Sequence, residues 1–368
     1  MVRMKRNSMK KVLCLIDGLG SGGAQRQLVG LANLLQCKGY DVLFVWYHKK
    51  DFYRKDLEIN GIKYEQIHAK DVFRKFWRIK KVINCFKPDV VISYLGGPNK
   101  ASCFLKILGL RSKVIVSERA VLQKIDRNQK IKFFLYHWAD YIVSNAQEQT
   151  DLINRNFSSL QNKTVTIRNF VDTKYFCPSK NQTEHDGIHI LVVGRIAKQK
   201  NIERFMRAVN IAISHGTNIF VKWYGGTSFG QENYKEEVEK LRQEDRLSER
   251  FVFYPPSNNI LEEYQQCDVF CLPSLFEGFP NVVCEAMSCG KPVLCSDVND
   301  NAVIVHDKEN GFLFDPKSVD DMAEKMEIFC NLSKDERLEM GKRSREIAIE
   351  SLSGESFVSK YINLIEEV

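Results

Sequence analysis

Residues 11–47, KVLCLIDGLGSGGAQRQLVGLANLLQCKGYDVLFVWY, contain a strand, a glycine-rich turn, a helix and a second strand. The apolar runs Lys11–Asp17 and Asp41–Tyr47 predict the strands, and the pattern of Gly23–Cys37 predicts the helix between them. Short apolar strands separated by helices are typical of a parallel sheet that is covered on both faces. This stretch therefore predicts a doubly wound α/β fold.

The same alternation continues along the chain in two sets. In the first half, the further predicted elements are strands at Asp89–Tyr94, Lys113–Ser117, Tyr141–Ser144 and Thr164–Ile167 and helices at Val72–Phe86 and Lys130–Ala139. The polar stretch 174–187, KYFCPSKNQTEHDG, interrupts the pattern and predicts a linker. The second set of predicted strands is Ile188–Val193, Asn218–Tyr224, Phe251–Phe253, Val269–Leu272 and Pro292–Ser296.

The length of 368 residues exceeds what one hydrophobic core supports and fits two domains. We therefore predict two tandem Rossmann-like doubly wound domains, residues 1–175 and 176–350, that face a central cleft. A helix in residues 351–368 is expected to pack back on the first domain. Domains of this kind bind ligands at the carboxyl ends of their strands.

The charge is divided unequally between the two halves. Residues 1–170 carry 31 Lys and Arg against 13 Asp and Glu, a net charge of +18, whereas the remainder carries −10. A basic half indicates a polyanionic partner, which could be nucleic acid, an anionic membrane or a phosphorylated substrate. No nucleic-acid-binding module accompanies the charge, so nucleic acid is not expected.

Two observations bear on localisation. No stretch approaches the roughly 20 consecutive apolar residues that cross a bilayer. The apolar run Val12–Ile16, which follows the N-terminal cations, is too short for a signal peptide. We expect a cytoplasmic protein that lies peripherally on the inner face of the plasma membrane.

The turn after the first strand contains a formal G-x-G-x-x-G motif at Gly18, Gly20 and Gly23. A dinucleotide-binding site also needs a carboxylate at the end of the second strand, where this chain has Trp46-Tyr47-His48. NAD or FAD is therefore not expected. The turn either brings backbone N–H groups close to a phosphate or sugar or is a plain strand-to-helix connection.

Residues 274–290, SLFEGFPNVVCEAMSCG, carry the most specific pattern. Pro280 stands where a helix would begin and Gly290 where it would end. The loop before Pro280 presents backbone amides at a helix N-terminus, which suits an anionic or hydroxyl-rich ligand. Glu277 precedes the helix and Glu285 lies inside it among apolar neighbours, and carboxylates suit the paired hydroxyls of ribose or hexose. The alternative for Glu285 is a solvated helix carboxylate.

Residues 193–201, VGRIAKQKN, place cations around the next strand-to-helix turn. Arg195 and Lys200 flank a helix N-terminus and can form a diphosphate clamp, and Lys198 competes with Lys200 for the second position. Basic loops are also commonly just solvated, so this segment gains its meaning from the carboxylate segment at the same end of the sheet.

Four segments together resemble the family 4 glycosyltransferases of the GT-B fold: GSGGAQRQL, IRNFVD, GRIAKQKN and EGFPNVVCE, the last matching the family's E-x7-E signature. The resemblance covers nearly the whole chain. It implies retaining transfer of a hexose or N-acetylhexosamine from a nucleotide-diphosphate sugar, with UDP favoured. The acceptor would be a hydroxyl of a glycan or a polyprenyl-linked oligosaccharide in surface polysaccharide synthesis.

The resemblance also implies residue roles. Arg195 and Lys200, beside Gly194, would bind the diphosphate, and Glu285 would hold the ribose. Gly22 and Gly23 would approach the donor from the first domain, and the base would lie near Pro255–Ser257. The transferred sugar would be held by Glu277 with the loop residues Gly278, Phe279, Pro280 and Asn281. Glu277, Arg195 and Lys200 would be catalytic.

One departure concerns the acceptor side. Many family members carry a histidine after the fourth strand, where this chain has Ser117-Glu118-Arg119. Glu118 and Arg119 are therefore acceptor-side candidates, and His137, in an apolar helix, is expected to be structural. The sequence has no D-x-D carboxylate pair, so neither a metal nor another cofactor is expected.

Without a clear nucleophile, retention suggests a front-face reaction. The leaving β-phosphate accepts the acceptor's proton while the protein positions the reactants and stabilises charge on the diphosphate. Two other functions fit the same architecture. A nucleotide-sugar epimerase would convert its substrate without an acceptor, and a non-catalytic nucleotide-sugar sensor would bind donor without turnover.

Overall fold

The computed structural model describes residues 9–119, 125–180, 185–227, 230–257 and 259–367. The chain divides into two compact units, of which the first comprises residues 1–169 with 354–368 and the second residues 170–353. The first division lies between Asn169 and Phe170, six residues before the predicted boundary. Within the predicted linker 174–187, residues 181–184 lie outside the described residues.

Helices and strands alternate along both units. The elements before the linker are β1 (Lys11–Leu15), α1 (Gly23–Cys37), β2 (Asp41–Trp46), α2 (Arg54–Ile59), β3 (Lys63–Gln66), α3 (Val72–Phe86), β4 (Val90–Tyr94), α4 (Gly96–Ile107), β5 (Lys113–Glu118), α5 (Arg127–Leu135), β6 (Tyr141–Ser144), α6 (Gln147–Asn156) and β7 (Thr164–Thr166). Those after it are β8 (Ile188–Val193), α7 (Ile202–Ser214), β9 (Ile219–Tyr224), α8 (Glu232–Glu244), β10 (Phe251–Tyr254), α9 (Ile260–Gln266), β11 (Val269–Leu272), α10 (Asn281–Ser288), β12 (Val293–Ser296), α11 (Asn301–Ile304), β13 (Gly311–Phe314), α12 (Val319–Asn331), α13 (Lys334–Leu352) and α14 (Gly354–Glu366).

The first unit contains a parallel sheet in the order β3-β2-β1-β4-β5-β6-β7. Leu13, Val91 and Val114 are neighbours across three strands and share one face, which is covered by α3, α4 and α5. Side chains alternate along a strand, so Tyr94 points to the opposite face, where its hydroxyl meets that of Tyr361 in α14. Helices therefore cover both faces.

The second unit contains a parallel sheet in the order β10-β9-β8-β11-β12-β13. Trp223 and Phe205 belong to the core between the sheet and α7 and α12, while Phe270 and Met287 belong to the core on the α10 side. The strand order reverses between β8 and β11. Two Rossmann-like doubly wound units are confirmed, and the reversal marks where such sheets bind ligands.

Candidate active site

Two loops of the second unit leave neighbouring strands at this reversal point. One follows β8 and contains Arg195 and Lys200, and the other follows β11 and leads to α10. Gln199 joins them, because its backbone carbonyl accepts a hydrogen bond from the amide of Leu275 (2.9 Å) and its side chain donates to the carbonyl of Phe276 (2.8 Å). The two segments singled out in the sequence are thus fastened side by side.

An ion pair connects the same two loops. The Lys200 ammonium lies 2.5 Å from Glu277 Oε1, and both side chains are largely buried. The backbone amide of Glu277 donates to the side-chain oxygen of Asn299, at 2.8 Å. The structure therefore brings together a predicted diphosphate ligand and a predicted sugar ligand.

The position of Lys200 depends on two glycines. A Cβ on Gly194 would lie 3.2 Å from Lys200 Cε, so the lysine stem passes directly over this residue. A Cβ on Gly225 would overlap the carbonyl oxygen of Gly194, which also accepts a hydrogen bond from the Trp223 indole at 2.8 Å. Any side chain at position 225 would therefore push the β8 loop away.

Asn201 fixes the end of this loop. It adopts a left-handed backbone conformation with φ 58° immediately before α7. Its buried side-chain amide donates to the carbonyls of Pro273 (3.1 Å) and Pro316 (2.7 Å). Asparagine tolerates this conformation better than most residues. The side chain then ties the β8 loop to the start of the β11 loop.

The remaining cations of the loop differ in direction. Arg195 is exposed, and its guanidinium makes no hydrogen bond or ion pair within the described residues. Lys198 lies over the ring of Tyr234, with its ammonium 5.7 Å from the ring centroid. Of the two lysines that compete in the sequence, Lys200 is the one that meets Glu277.

The β11 loop ends at α10, which begins at Asn281 with Pro280 as its N-cap residue. Gly278 belongs to this loop, and Phe279 is buried in the apolar cluster beneath it. Glu285, one turn along the helix, is buried and accepts a hydrogen bond from the Tyr264 hydroxyl at 2.9 Å. The Tyr264 hydroxyl thus helps to fix the position of the Glu285 side chain.

An aromatic pair stands at the ends of β9 and β10. The rings of Tyr224 and Tyr254 are stacked, with centroids 4.8 Å apart and an interplanar angle of 13°. Pro255–Ser257, the segment expected near the base, follows Tyr254 directly. The two tyrosines are thirty residues apart in the sequence, so no local pattern indicates that they stack.

The glycines predicted to approach the donor lie in the first unit. Gly22 is the N-cap residue of α1 and Gly23 its first residue, and both are exposed. They follow β1, at which the strand order of the first sheet reverses toward β4. The structure thus places them at the ligand-binding edge of their own sheet.

Glu118, an acceptor-side candidate, lies in a buried network at the end of β5. Its Oε2 is 2.7 Å from the Lys132 ammonium, while its Oε1 accepts hydrogen bonds from Tyr136 and, at 3.3 Å, from Asn99. Burial, with the nearby carboxylate, raises the pKa of Tyr136 well above its usual range, so the phenol stays protonated and donates. These contacts stabilise the strand end, and the acceptor role of Glu118 stays a prediction.

Arg119 is also held by internal partners. Its guanidinium donates to Tyr94 (2.5 Å), Tyr361 (2.7 Å) and Asn169 (2.7 Å). An acceptor would have to share or displace these bonds. His137 is exposed, with Nε2 2.8 Å from the Ser159 hydroxyl and Nδ1 3.0 Å from the Phe134 carbonyl, and both contacts connect neighbouring parts of the unit.

Metal-binding clusters and membrane-spanning helices can be assessed only in the part of the chain that the structure describes. There, no group of three or more His, Cys, Asp or Glu residues is arranged to hold a metal ion. None of the helices in these residues combines the length and apolarity that crossing a membrane would require.

Comparison with known proteins assigns the family. Residues 176–347 match the family described as "Glycosyl transferases group 1". This segment covers nearly all of the second unit and includes every residue of the two fastened loops. The protein is a glycosyltransferase, and its second unit carries the match to this family.

Individual relatives extend the likeness beyond that segment. An uncharacterized glycosyltransferase of Haemophilus influenzae is 26% identical over 347 residues, covering 92% of this chain and 95% of that protein. A Campylobacter jejuni enzyme named "GalNAc-alpha-(1->4)-GalNAc-alpha-(1->3)-diNAcBac-PP-undecaprenol alpha-1,4-N-acetyl-D-galactosaminyltransferase" is 27% identical over 337 residues, covering 88% and 89%. Among solved structures, HepE of Anabaena in complex with UDP has a TM-score of 0.84 and 16% identity, covering 97% and 100%. At this identity, the likeness shows that this chain and HepE share a fold.

Proposed function

We propose that this glycosyltransferase moves a hexose or N-acetylhexosamine, with retention, from a nucleotide-diphosphate sugar to a glycan or lipid-linked acceptor. UDP is the favoured nucleotide and surface polysaccharide synthesis the favoured setting. The Campylobacter relative is named for an undecaprenol-linked acceptor, and HepE was solved with UDP. Both names support the choice of substrates.

The observation that carries the proposal is the Lys200–Glu277 pair between the two fastened loops. A diphosphate at this reversal point would draw the Lys200 ammonium away from Glu277, because phosphate is the more highly charged partner. Glu277 would then accept hydrogen bonds from the hydroxyls of the transferred sugar. One exchange of partners would prepare both ends of the donor.

The transition state places negative charge on the leaving diphosphate. That charge would be stabilised by Lys200, by Arg195 and by the amides around Gly278 and Asn281. Electrostatic stabilisation of this kind is usually the largest single contribution to catalysis. The β-phosphate oxygen takes the acceptor's proton as the sugar bond breaks, and the new bond forms on the same face. Glu285 would hold the ribose, and Tyr254 offers a flat surface against which the base can stack.

The chemistry as proposed requires no metal, because two cations and a helix N-terminus face the diphosphate. We expect transfer activity to persist in excess EDTA. An enzyme that loses all activity on chelation and regains it with Mg²⁺ or Mn²⁺ would contradict this part of the proposal.

The function is tested by thermal-shift screening against UDP-, GDP- and ADP-sugars, followed by transfer assays with the stabilising donor. We expect a UDP-sugar to stabilise the protein and NMR to show a product with the donor's anomeric configuration. Conversion of the donor without an acceptor would indicate an epimerase. Binding that never leads to turnover would indicate a sensor.

The proposal includes peripheral association of the first unit with an anionic membrane, where a lipid-linked acceptor would lie. Its support is the charge of +18 on residues 1–170. Each Lys or Arg near an anionic surface contributes about 1 kcal/mol, so several together give reversible binding without an anchor.

A further inference from the structure

Three helices of the first unit expose large apolar side chains on their outer surfaces. We call this surface the three-helix face; it is formed by α3, α4 and α5 on one side of the first sheet. Phe73 is 70% exposed, Trp77 48%, Phe104 46% and Phe134 61%. The exposed apolar members of the face are Val72, Phe73, Trp77, Phe104, Ile107, Leu108, Ile131, Phe134 and Trp138. Single exposed apolar residues are ordinary, whereas contiguous patches mark a binding surface.

Ring contacts connect part of this set. Trp77 lies edge-on to Phe73 (5.9 Å between centroids) and to Phe76 (6.3 Å), and Phe76 reaches Phe104 of α4 at 5.4 Å. Phe134 of α5 contacts Trp138, which lies in the short helical turn directly after α5, at 5.4 Å. The patch therefore crosses from α3 to α4 and has an aromatic pair of its own at the end of α5.

The spacing places cations in the same stripes as these apolar residues. On α4, Lys100, Phe104 and Leu108 follow one another at intervals of four residues, and on α5 Arg127, Ile131 and Phe134 follow at four and three. Residues at these intervals share one helix face. Each stripe thus begins with a cation and continues with apolar side chains.

The charge of the face is predominantly positive. Within their bounds, α3, α4 and α5 contain ten Lys and Arg and no Asp or Glu, whereas α2 and α14 of the same unit carry both signs. Lys132, Lys106 and Arg74 are paired with Glu118, Asp140 and Asp71, the last of which is the N-cap residue of α3. The cations of these helices that are exposed are Arg74, Arg78, Lys81, Lys100, Arg127 and Lys130.

We propose that the three-helix face docks the protein on an anionic bilayer and that its aromatic rings enter the interface. Aromatic rings favour the boundary between headgroups and acyl chains, and an excess of exposed cations favours anionic headgroups. The identity of the acceptor rests on the proposed function, but the docking itself does not. The rings give the binding a component that salt does not remove, because screening acts on charges alone.

The test is flotation of the full-length protein with phosphatidylcholine vesicles, with and without phosphatidylglycerol, at low and high salt. The wild type is expected to float with the anionic vesicles and to keep part of its binding at high salt. The variant F134S/W138S should lose about tenfold in affinity and keep less of its binding at high salt than the wild type. The variant R78Q/K81Q should lose preference for anionic lipid.

Matched controls are F52S, which changes an exposed aromatic outside the three-helix face, and K235Q/K240Q on α8. Both should float like the wild type, and melting temperatures should show that every variant is folded. Wild-type protein that stays out of anionic vesicles at low salt would overturn the proposal and leave an acidic protein as the partner of this face. Equal loss in F52S and F134S/W138S would overturn it as well.

Donor binding separates this proposal from the proposed function. The docking variants should keep the wild-type thermal shift with the donor sugar, because their substitutions lie in the first unit and outside the two donor loops. Flotation without any donor response would contradict the transferase proposal alone. A donor response without flotation would contradict the docking proposal and the membrane association, and would leave the proposed sugar transfer standing.

Discussion

Each unit of this glycosyltransferase contains a carboxylate paired with a lysine at the carboxyl edge of its sheet. In the first unit, Glu118 and Lys132 are 2.7 Å apart, with side chains 4% and 11% exposed. In the second, Glu277 and Lys200 are 2.5 Å apart, with side chains 14% and 12% exposed. Distance and burial alone do not distinguish the two pairs.

The pairs differ in the remaining partners of the carboxylate. Both oxygens of Glu118 are satisfied, one by Lys132 and the other by Tyr136 and Asn99. Glu277 Oε2 has no protein partner among the described residues, and the backbone on either side belongs to a loop before a helix N-terminus. A fully satisfied pair stabilises a fold, whereas a pair with spare capacity at a ligand-binding edge can exchange partners.

The largest expected difference between the two pairs is in the free energy of unfolding after the carboxylate is removed. Glu118→Ala should lower the free energy of unfolding by about 3–5 kcal/mol, because Lys132 is left buried without its partner. Glu277→Ala, the matched control in the other unit, should cost less, because it removes a side-chain partner from Lys200 alone, whereas Glu118 also accepts from Tyr136 and Asn99. Chemical denaturation measures both. A stable Glu118→Ala variant that has lost transfer would instead establish the acceptor role.

The next effect concerns turnover. Lys200→Ala or Arg195→Ala should lower kcat/KM by roughly 10²–10³, the scale for one charge contact that stabilises the transition state. Lys198→Ala, in the same loop but directed at Tyr234, is the control and should remain near wild type. Near-normal activity of a folded Lys200→Ala or Arg195→Ala variant would remove that residue from the diphosphate clamp.

The two carboxylates of the E-x7-E segment should separate binding from chemistry. Glu285→Ala should weaken donor affinity by about 1–3 kcal/mol, because it removes hydrogen bonds to a charged group. Glu277→Ala should lower kcat more than donor affinity. Calorimetric titration with the donor, beside steady-state kinetics, distinguishes these outcomes. Unchanged affinity in Glu285→Ala would show that the ribose assignment is wrong.

The smallest expected effect on kcat/KM concerns the hydrogen bonds of Gln199 that join the two loops. Gln199→Ala removes the bond from its side chain to Phe276 but keeps its backbone bond to Leu275, so kcat/KM should fall by only about threefold to tenfold. Gln231→Ala is the control, because the Gln231 side chain accepts a hydrogen bond from the Lys198 backbone amide (3.1 Å) in the same turn but, among the described residues, makes none to the other loop. If both variants lose activity equally, Gln199 has no particular role between the donor loops.

Most of the fold could be predicted because the buried strands of a parallel sheet have nearly continuous apolar sequences. The strands overlooked were β3 and β13. β3 is the edge strand KYEQ, whose polar, largely exposed side chains give no apolar run. β13, GFLF, begins with a glycine directly after the charged turn DKEN. Both strands are specified by their neighbours in the sheet more than by their own sequence.

The site was predictable to the level of its segments but not of its contacts. The spacing of glycines, cations and carboxylates located Arg195, Lys200, Glu277 and Glu285. It gave no indication of Gln199, because a single glutamine carries no pattern. Asn201 and Asn299 have left-handed conformations, with φ of 58° and 52°, which asparagine tolerates, but only the structure shows what their side chains hold.

The path of the chain has a consequence for synthesis. The Tyr361 hydroxyl forms a hydrogen bond with that of Tyr94 and accepts another from Arg119. Tyr361 belongs to the first unit but is made after the whole second unit. On the ribosome, the second unit is therefore the uninterrupted piece and can fold as soon as it emerges, whereas the first must wait for its last helix. Tyr94 and Arg119 remain without this partner until the whole second unit has been made, so the unit that begins first is completed after the other.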